Sequence, residues 1–361
     1  MSGIVGIFNL DGAPVDAQLL RLMTDFLAFR GPDANRILAR GAVGFGHTLL
    51  RISRYSVKDQ QPASLDDQVW ITADAQINAR GELTSKLRSV GRDIPSIMTD
   101  AELILHAYHV WGSSCVDNLL GEFSFAIWDG RKQLLFCARD HFGVRPFFYA
   151  RAGNSLIFSN TLDCLRLHPG ISGRLNDLAI ADFLLFDSNQ NLGTSAFADI
   201  LRLPPAHTLE CVNSNSKVHR YWTLPEQSPV DFKDPRECVD RFKEIFDSAV
   251  SDCLRGDGAG ILMSGGLDSP TVAASMRKVA DQSDSPIKIV GYTGYHEHLI
   301  PDKEKYFAGL AAQAPFSNLR KWVGRSKAHH VMNGFRRPKT RYVVISKQLC
   351  VVKAKKLDWN I

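Results

Sequence analysis

Short apolar runs, separated by turn-forming residues, recur along the first half of the chain and predict β-strands. The expected strands are 3–8, 44–50, 69–74, 123–128, 133–139 and 155–159. Apolar residues at helical spacing predict helices at 16–29, 101–111 and 176–186. Strands and helices mixed in this way are typical of an α+β layered domain.

The pattern changes in the second half of the chain. An amphipathic helix is expected at 238–254, an apolar strand that includes 261–263 and a further strand at 287–293. A Gly-containing turn and a helix-forming segment lie between these two strands. Strand, loop, helix and strand in this order predict an α/β unit with a parallel sheet. Prolines at 225–236 indicate a linker between the halves.

The loop after the apolar strand reads Ser264-Gly265-Gly266-Leu267-Asp268-Ser269. Its paired glycines let a ligand approach the backbone amides, and the helix N-terminus that follows favours an anion. Asp268 can only accept hydrogen bonds, so beside a phosphate we expect it to bind Mg²⁺. The turn contains no Lys, which excludes a Walker-type loop. The alternative is an ordinary Gly-Gly turn between a strand and a helix.

The distribution of charged residues and cysteines indicates which partners and which cellular compartment to expect. The net charge is +5, but residues 315–361 hold 12 Lys and Arg against one acid, which leaves 31 basic and 37 acidic residues in 1–314. A nucleic-acid partner is therefore not expected for the chain as a whole. No apolar run could span a membrane, and the N-terminus lacks a signal-peptide pattern. Seven cysteines without a C-x-x-C pair predict a reduced, cytoplasmic protein.

Several motifs occur in the order found in one enzyme family. They are S-G-I-V-G-I-F at 2–8, R-G-P-D at 30–33, L-R-I-S at 50–53, T-D-A-E at 99–102, L-L-G-E-F-S-F-A-I-W-D at 119–129, A-R-D-H-F-G-V-R-P-F-F-Y at 138–149, L-R-L-P-P-A-H at 201–207 and S-G-G-L-D-S at 264–269. Through these motifs the chain resembles the glutamine-dependent asparagine synthetases and their relatives, β-lactam synthetase and the lasso-peptide macrolactam cyclases. The resemblance implies an Ntn-hydrolase-type αββα sandwich, followed by a partial α/β adenine-nucleotide domain of the ATP pyrophosphatase (PP-loop) type.

The resemblance also implies roles in the N-terminal domain. Ser2 stands where the family has a Cys nucleophile that removal of Met1 exposes, and Ala73-Asp74-Ala75 replaces the family's Asn-Gly-Glu. Arg51 and Asp100 match contacts to the carboxylate and the amine of glutamine. A hydroxyl is far less acidic than a thiol, and a carboxylate opposes an oxyanion, so we expect an inactive glutaminase. The alternative for Arg51 and Asp100 is support of the fold.

For the second domain the resemblance implies a site for ATP, pyrophosphate and Mg²⁺. Its residues are Leu262, Met263, Ser264, Gly265, Gly266, Leu267, Asp268, Ser269 and Val290. Val290 would pack on adenine, although it could equally be an ordinary core residue. The expected boundaries are 1–210 for a glutamine amidotransferase type 2-like domain, 211–236 for the linker, 237–314 for a partial asparagine synthetase-like ATP-binding domain and 315–361 for a basic tail of non-family character.

These features predict ATP-dependent amide-bond formation, in which a carboxylate is adenylated, pyrophosphate leaves and an amine displaces AMP. The altered glutaminase residues favour an ammonia-independent cyclase or ligase acting on a small-molecule or peptide carboxylate, such as a precursor peptide. One alternative is a glutamine-hydrolysing asparagine synthase. Another is a truncated, inactive fragment that at most binds nucleotide, since the family-like sequence ends near Gln313. No membrane or nucleic-acid partner is expected, and the sequence does not predict an oligomeric state.

Overall fold

The computed structural model describes residues 1–95, 97–212, 214–226, 234–263, 266–283, 287–295, 320–323 and 343–345. By its internal contacts the chain divides into two compact units. Unit 1 is Met1–Arg51 together with Tyr55–Pro225, and unit 2 is Ile52–Arg54 together with Glu226–Ile361. Within the described ranges, no helix is both long enough and apolar enough to cross a membrane.

Two antiparallel sheets form the body of unit 1. Its described strands are β1 Gly3–Asn9, β2 Ala34–Arg40, β3 Val43–Leu49, β4 Ala63–Ser64, β5 Val69–Ile77, β6 Gly121–Asp129, β7 Leu134–Arg139, β8 Phe148–Ala152, β9 Ser155–Ser159, β10 Ile200–Arg202, β11 His207–Val212 and β12 Asn215–Arg220. The first sheet has the order β10-β8-β9-β1-β3-β2, and the second has the order β12-β11-β7-β6-β5-β4. Because β1 pairs with both β3 and β9, the start of the chain is held in the middle of its sheet.

Three of the described helices of unit 1 begin after a residue whose side chain accepts hydrogen bonds from backbone amides of the first turn. The described helices are α1 Ala17–Phe26, α2 Arg80–Ser89, α3 Asp100–Trp111, α4 Leu162–Leu165 and α5 Asp177–Phe186, with 3-10 turns at Leu27–Phe29, Arg54–Ser56 and Gly112–Asn118. Asp16 accepts hydrogen bonds from two amides of the first turn of α1. Thr99 and Glu102 form a reciprocal capping box at the start of α3. This cap fixes the position of Asp100 in the first turn.

Three apolar clusters give unit 1 its layers. The first joins α2 and α3 to the second sheet, the second lies between the sheets, and the third joins α1 and α4 to the first sheet. The first cluster includes Leu87 and Phe125, the second includes Phe45 and Phe158, and the third includes Leu20 and Ile157. Because side chains alternate along a strand, each sheet buries both of its faces. The expected αββα sandwich is confirmed.

The space between the two sheets is apolar at one end and polar at the other. On β5 and β6, Trp70 pairs with Trp128 at the apolar end, and Asp74 pairs with Ser124 four residues further along β5. Asp74 and Ser124 are both buried, as is His47 on β3 of the facing sheet. Buried polar side chains therefore gather at one end of the sandwich, where the chain begins.

Unit 2 has a parallel sheet with helices before and after its first strand. Its described elements are α6 Pro235–Cys253, β13 Gly258–Leu262, α7 Asp268–Asp281, β14 Lys288–Tyr295, β15 Arg320–Val323 and β16 Val343–Ile345. The strand order is β15-β14-β13-β16, with parallel pairing throughout. Apolar residues of α6, β13 and α7 pack in one cluster, which includes Val250, Ile261 and Met276. The α/β character expected from the sequence is present in this part.

Two boundaries differ from the sequence-based expectation. The linker expected at 211–236 contains β12 and the end of β11, and α6 already begins at Pro235. All six residues of β12 are exposed and, in the described part of unit 1, pair with β11 alone, so no apolar alternation marks this edge strand. The expected basic tail at 315–361 contains β15 and β16, which are too short for their pattern to stand out.

Candidate functional site

Ser2 lies at the polar end of the sandwich, and each of its polar groups has a partner. Its backbone N–H donates to Asp74 Oδ1 at 3.1 Å, and its hydroxyl accepts from the backbone N–H of Leu50 at 3.2 Å. Its carbonyl accepts from Asn160 Nδ2 at 2.8 Å and from Arg30 Nε at 3.3 Å. Ser2 is thereby held in one position relative to both sheets.

The motif R-G-P-D brings Arg30 to Ser2 through a close backbone approach at Gly31. A Cβ atom at Gly31 would lie 2.1 Å from the carbonyl oxygen of Thr48 on β3. A Cβ at Gly3 would lie 2.4 Å from the Thr48 hydroxyl. Glycine at these positions lets the turn and β1 lie directly against β3, which explains why both motifs contain it.

Asp74 is a buried carboxylate that remains ionised. Its Oδ2 lies 3.8 Å from Arg30 Nη2, its Oδ1 lies 3.6 Å from Arg145 Nη1, and Asn160 Nδ2 donates to Oδ2 at 3.2 Å. Burial alone would raise the pKa of Asp74, but Arg145, the chain's terminal amine and Arg30 outweigh it and hold the pKa below its usual range. A fixed negative charge therefore lies beside the Ser2 backbone nitrogen.

Arg145 is positioned by a turn that Asp140 organises. The Asp140 carboxylate accepts from the backbone amides of Phe142, Val144 and Arg145 at 3.1, 2.9 and 2.9 Å. Arg145 then spans two acids, since its Nη2 lies 3.0 Å from Glu122 Oε2 while Nη1 faces Asp74. Burial opposes its charge, but the two acids raise the pKa of Arg145. Asp140 thus shapes the loop that carries Arg145.

His47 is a buried histidine on β3 that interacts with Asp74, yet it forms no catalytic pair. Its Nε2 has no hydrogen-bond partner among the described residues, and neither does the Ser124 hydroxyl. Burial lowers the pKa of His47 to about 4, partly opposed by Asp74 and by a hydrogen bond to the Ala73 backbone. A Ser–His–Asp triad needs a hydrogen bond from the nucleophile to the histidine, so this arrangement does not form one.

Arg51 and Asp100, the expected glutamine contacts, are both engaged with neighbouring residues. The Arg51 backbone N–H donates to Asp33 Oδ2 at 2.7 Å, and its Nη1 donates to the Asp33 carbonyl at 3.5 Å. Asp100 accepts from the Ile77 backbone N–H at 3.1 Å and forms an ion pair with Arg80. An amine that bound Asp100 would have to compete with Arg80. Glutamine binding by these residues remains a prediction.

Asp59 is a half-buried acid, linked to β5 through Gln61, that the sequence did not reveal. Its Oδ2 accepts from Gln61 Nε2 at 3.0 Å, and Gln61 Oε1 accepts from the Ala73 backbone N–H at 2.6 Å. Asp59 Oδ1 is buried without a partner in the described part of the chain. Burial raises the pKa of Asp59 to about 6; Asp100 and Glu102 add to the shift, and Gln61 opposes it.

This raised pKa predicts a stabilising substitution, Asp59→Asn. The pKa of Asp59 is higher in the folded state than in the unfolded state. The folded protein therefore becomes less stable as the pH rises from about 4 through 6, because this carboxyl must then ionise. At pH 8 the Asn variant should therefore be more stable by about 2–3 kcal/mol, with little difference below pH 4. Urea unfolding at both pH values tests this. An equal effect at pH 4 and pH 8 would contradict the raised pKa, and Asp163→Asn, an exposed acid, serves as the control.

In unit 2 the candidate phosphate loop joins the end of β13 to the start of α7. Met263 is buried and donates from its backbone N–H to the Tyr292 carbonyl at 2.7 Å, whereas Leu262 is exposed. Gly266 and Leu267 are exposed, Asp268 opens α7, and Ser269 behind it is buried. Val290 is buried on β14 opposite Gly260. Ser264 and Gly265 lie outside the described residues.

The donor set at this loop suits a metal-bound phosphate. Asp268 is exposed and is the first residue of a 14-residue helix, where the helix dipole favours an anion. Among the described residues, no group of three His, Cys, Asp or Glu gathers to hold a metal ion alone. A Mg²⁺ ion here would therefore take ligands from the phosphates as well as from Asp268.

Comparison with known proteins identifies what the chain is similar to. Residues 1–222 match the family model described as a glutamine amidotransferase domain, and residues 241–315 match the one described as asparagine synthase. A Bacillus subtilis (strain 168) protein named asparagine synthetase (glutamine-hydrolyzing) 3 is 32% identical over 278 residues, which cover 76% of this chain and 45% of that protein. A Methanocaldococcus jannaschii protein named putative asparagine synthetase (glutamine-hydrolyzing) 2 is 29% identical over 320 residues, which cover 82% of this chain and 61% of that protein.

The chain thus spans less than two thirds of the length of these relatives. A solved structure of glutamine phosphoribosylpyrophosphate amidotransferase from B. subtilis, complexed with ADP and GMP, superposes with a TM-score of 0.45 at 12% identity. The superposition covers 89% of this chain and 81% of that one.

Proposed function

Because the chain belongs to the glutamine-dependent asparagine synthetase family, we propose that it joins a carboxylate to an amine in an ATP-dependent reaction, and that the amine does not come from glutamine. The observation that supports an amine source other than glutamine is the position of the Asp74 carboxylate, whose Oδ1 lies 3.1 Å from the Ser2 backbone nitrogen. An amine from the same substrate molecule, or a second small molecule, would displace AMP. The acyl substrate is a small-molecule or peptide carboxylate, in the manner of the ammonia-independent members of the family.

The charge on Asp74 opposes glutamine hydrolysis at its first step. In N-terminal nucleophile hydrolysis the free α-amine acts as the base, so it must be neutral. Removal of Met1 would make the Ser2 nitrogen that amine, directly beside an ionised carboxylate. An opposite charge at this distance favours the ammonium form of the amine. Burial acts the other way: it lowers the pKa of the present terminal amine, at Met1, to about 6, and Asp74 partly opposes that shift. Asp74 thus reduces the share of the amine that is neutral and able to act as the base, and the hydroxyl that the base must activate is already a weak acid.

Asp74 also opposes the second requirement of the reaction, stabilisation of an oxyanion. Donors must point to the place where negative charge develops. Arg30 and Arg145 are the cations of this site, but both face Asp74, and Arg145 also faces Glu122. Their charges are therefore already balanced by these buried acids. These contacts support a unit 1 that has kept the amidotransferase fold without its hydrolytic chemistry.

On the synthetase side, Asp268 and the N-terminal amides of α7 are proposed to hold the pyrophosphate end of Mg-ATP. Bound Mg-ATP supplies an electrophilic α-phosphate and a leaving group whose charge is neutralised. Ser269, next in the chain, would support the loop from its buried position, and Val290 would contact adenine. A cytoplasmic location is part of the proposal, since none of the cysteines in the described residues forms a disulfide and ATP is required.

ATP–pyrophosphate exchange with a panel of amino-acid and peptide carboxylates tests the proposed reaction. We expect exchange with at least one carboxylate in the absence of glutamine. Asp268→Asn should lower this exchange about 100-fold or more, because a charge that neutralises the phosphates is lost. Asp281→Asn, at the other end of α7, is the matched control and should leave exchange unchanged. Absence of exchange with every carboxylate, together with no rise in melting temperature on adding ATP, would instead support an inactive fragment.

A second candidate is favoured by the names of the relatives, which describe glutamine-hydrolysing asparagine synthetases. In that case glutamine would be the source of the amine, and Ser2 would have to act as the nucleophile. The two candidates differ in a single product, because only the second releases glutamate from glutamine. A glutamate assay therefore separates them without knowledge of the acyl substrate.

A further inference from the structure

A cavity of about 580 Å³ lies in unit 2, at the edge of the parallel sheet where its strands begin. Its lining includes residues 254–257, which lead into β13, and residues 282, 283 and 287, which lead into β14. The candidate phosphate loop follows the other end of β13, so five residues of strand, about 16 Å, separate the two places. Open α/β sheets usually bind their substrates beyond the carboxyl ends of the strands. This cavity is therefore distinct from the proposed ATP site.

Two arginines line the cavity side by side. Arg54 belongs to the segment Ile52–Arg54 of unit 2, and its backbone N–H donates to the Arg255 carbonyl at 3.2 Å. Arg255 is only 6% exposed, and its Nε donates at 2.8 Å to the carbonyl of Asp252 in the last turn of α6. Two like charges at one cavity repel each other, and an anion between them relieves this repulsion. A guanidinium has five N–H donors, so it can bind a ligand anion beside its partners in the protein.

The same cavity also favours a positive group. Helices α6 and α7 both end beside it, and the dipole of each helix favours a cation at that end. Asp257, which is exposed, contributes a carboxylate to the lining. Asp247 also lines the cavity, but Lys278 Nζ lies 2.6 Å from its Oδ2 and balances its charge. Among the described lining residues, Asp257 is therefore the acid best suited to a ligand ammonium group.

We propose that this cavity binds a free α-amino acid. An isolated anion would meet Asp257 and the negative ends of two helices, whereas an isolated cation would meet Arg54 and Arg255. A molecule that carries both charges avoids both conflicts. Its carboxylate binds the two arginines, and its ammonium group binds Asp257 and the carbonyl groups at the helix ends.

The remaining lining indicates a small ligand with a polar side chain. Ser248, Ser251 and Ser283 bring hydroxyl groups to the cavity, and Leu254 and Val279 form a limited apolar wall. The volume lies within the range of about 300–1,000 Å³ that is typical of small-molecule sites. A ligand bound here joins the ends of α6 and α7 to the start of β13. It therefore stabilises unit 2 without occupying the loop at the start of α7.

Calorimetric titration of the full chain with the common L-amino acids tests the proposal. We expect at least one polar amino acid to bind with a dissociation constant of about 1 mM or below. Its amide derivative lacks the carboxylate and its N-acetyl derivative lacks the ammonium group, so each should bind about 10-fold more weakly or worse. The absence of binding by every amino acid would overturn the proposal, as would equal binding of either derivative.

Variants at two exposed residues locate the ligand within unit 2. Arg54→Gln and Asp257→Asn each remove one charged partner and should weaken binding by about 10-fold or more. Asp240→Asn is the matched control, since Asp240 is an exposed acid of α6 that pairs with Lys243 away from the cavity. This variant should bind the amino acid like the wild type. If Arg54→Gln and Asp257→Asn also bind it like the wild type, the amino acid lies elsewhere and the proposal is wrong.

Discussion

Replacing Asp74 with Ala is expected to destabilise unit 1 by about 3–5 kcal/mol. The substitution leaves Arg145 and Arg30 facing a cavity in place of their shared carboxylate, in a site that is almost closed to solvent. It also removes the acceptor of the Ser2 backbone N–H and one of the acceptors of Asn160. Buried charges cannot recover this loss through water, so the penalty far exceeds that of a surface ion pair.

Hydrogen exchange measured by mass spectrometry resolves this effect within unit 1. Peptides from β5 and β6 should lose protection in Asp74→Ala, and those of α7 should not. Asp163→Ala breaks an exposed ion pair with Arg166 and should change protection by less than about 1 kcal/mol. Because the pKa of Asp74 is lowered in the folded state, its stabilising effect is complete above about pH 5 and fades as the pH falls through that lowered pKa. Wild-type protection in Asp74→Ala at pH 7 would mean that the ion network does not stabilise the fold.

Replacing Gly121 with Ala is expected to cost about 3–5 kcal/mol, for a reason of backbone geometry. Gly121 starts β6 with a φ of +141°, which other residues rarely adopt. Its Cβ atom would lie 2.1 Å from the Gln76 carbonyl oxygen and 3.0 Å from the Asn78 nitrogen. Both are backbone atoms, one at the end of β5 and one in the residue that follows it, so no side-chain rotation relieves the clash. Glu122, which binds Arg145, would move with the strand.

Gly81→Ala is the matched control for Gly121→Ala. Gly81 lies in α2, and a Cβ there meets nothing within 4 Å. Alanine should therefore stabilise the helix by about 0.5–1 kcal/mol. Thermal unfolding of the two variants should shift in opposite directions. Similar melting temperatures for both would contradict the close approach of β5 and β6 at Gly121.

The sandwich could be predicted because most of its strands have an apolar or alternating residue pattern that is visible in the sequence. Residues 3–8, 69–74 and 123–128 are either apolar throughout or alternate between apolar and polar residues. Each of these segments lies in a central strand of its sheet. β12 carries no such signal, since Val218 is its one large apolar residue and that side chain is exposed. Strand detection from sequence depends on burial, and an edge strand buries little.

The candidate site could be predicted only in part, since its contacts join residues far apart in the chain. Ser2 and Asp74 were identified individually, and the motifs R-G-P-D and V-R-P contain Arg30 and Arg145. The sequence did not reveal that both arginines face Asp74, because pairing across two sheets depends on the sandwich itself. Asp59 lies in no recognised motif. Its pKa is raised mainly by burial, and its acidic neighbours add to the shift.

Release of glutamate from glutamine is the measurement that tests the central claim most directly. The wild-type chain and Ser2→Cys, each with Met1 removed, are incubated with saturating glutamine, and glutamate is quantified against a buffer control. The expected result is no glutamate above background from either protein, since the Asp74 charge opposes the oxyanion and reduces the neutral share of the α-amine even beside a thiol. Glutamate release by the wild type would contradict the claim that unit 1 has lost its hydrolytic chemistry. Release by Ser2→Cys alone would show that the serine, and not Asp74, is the cause of that loss.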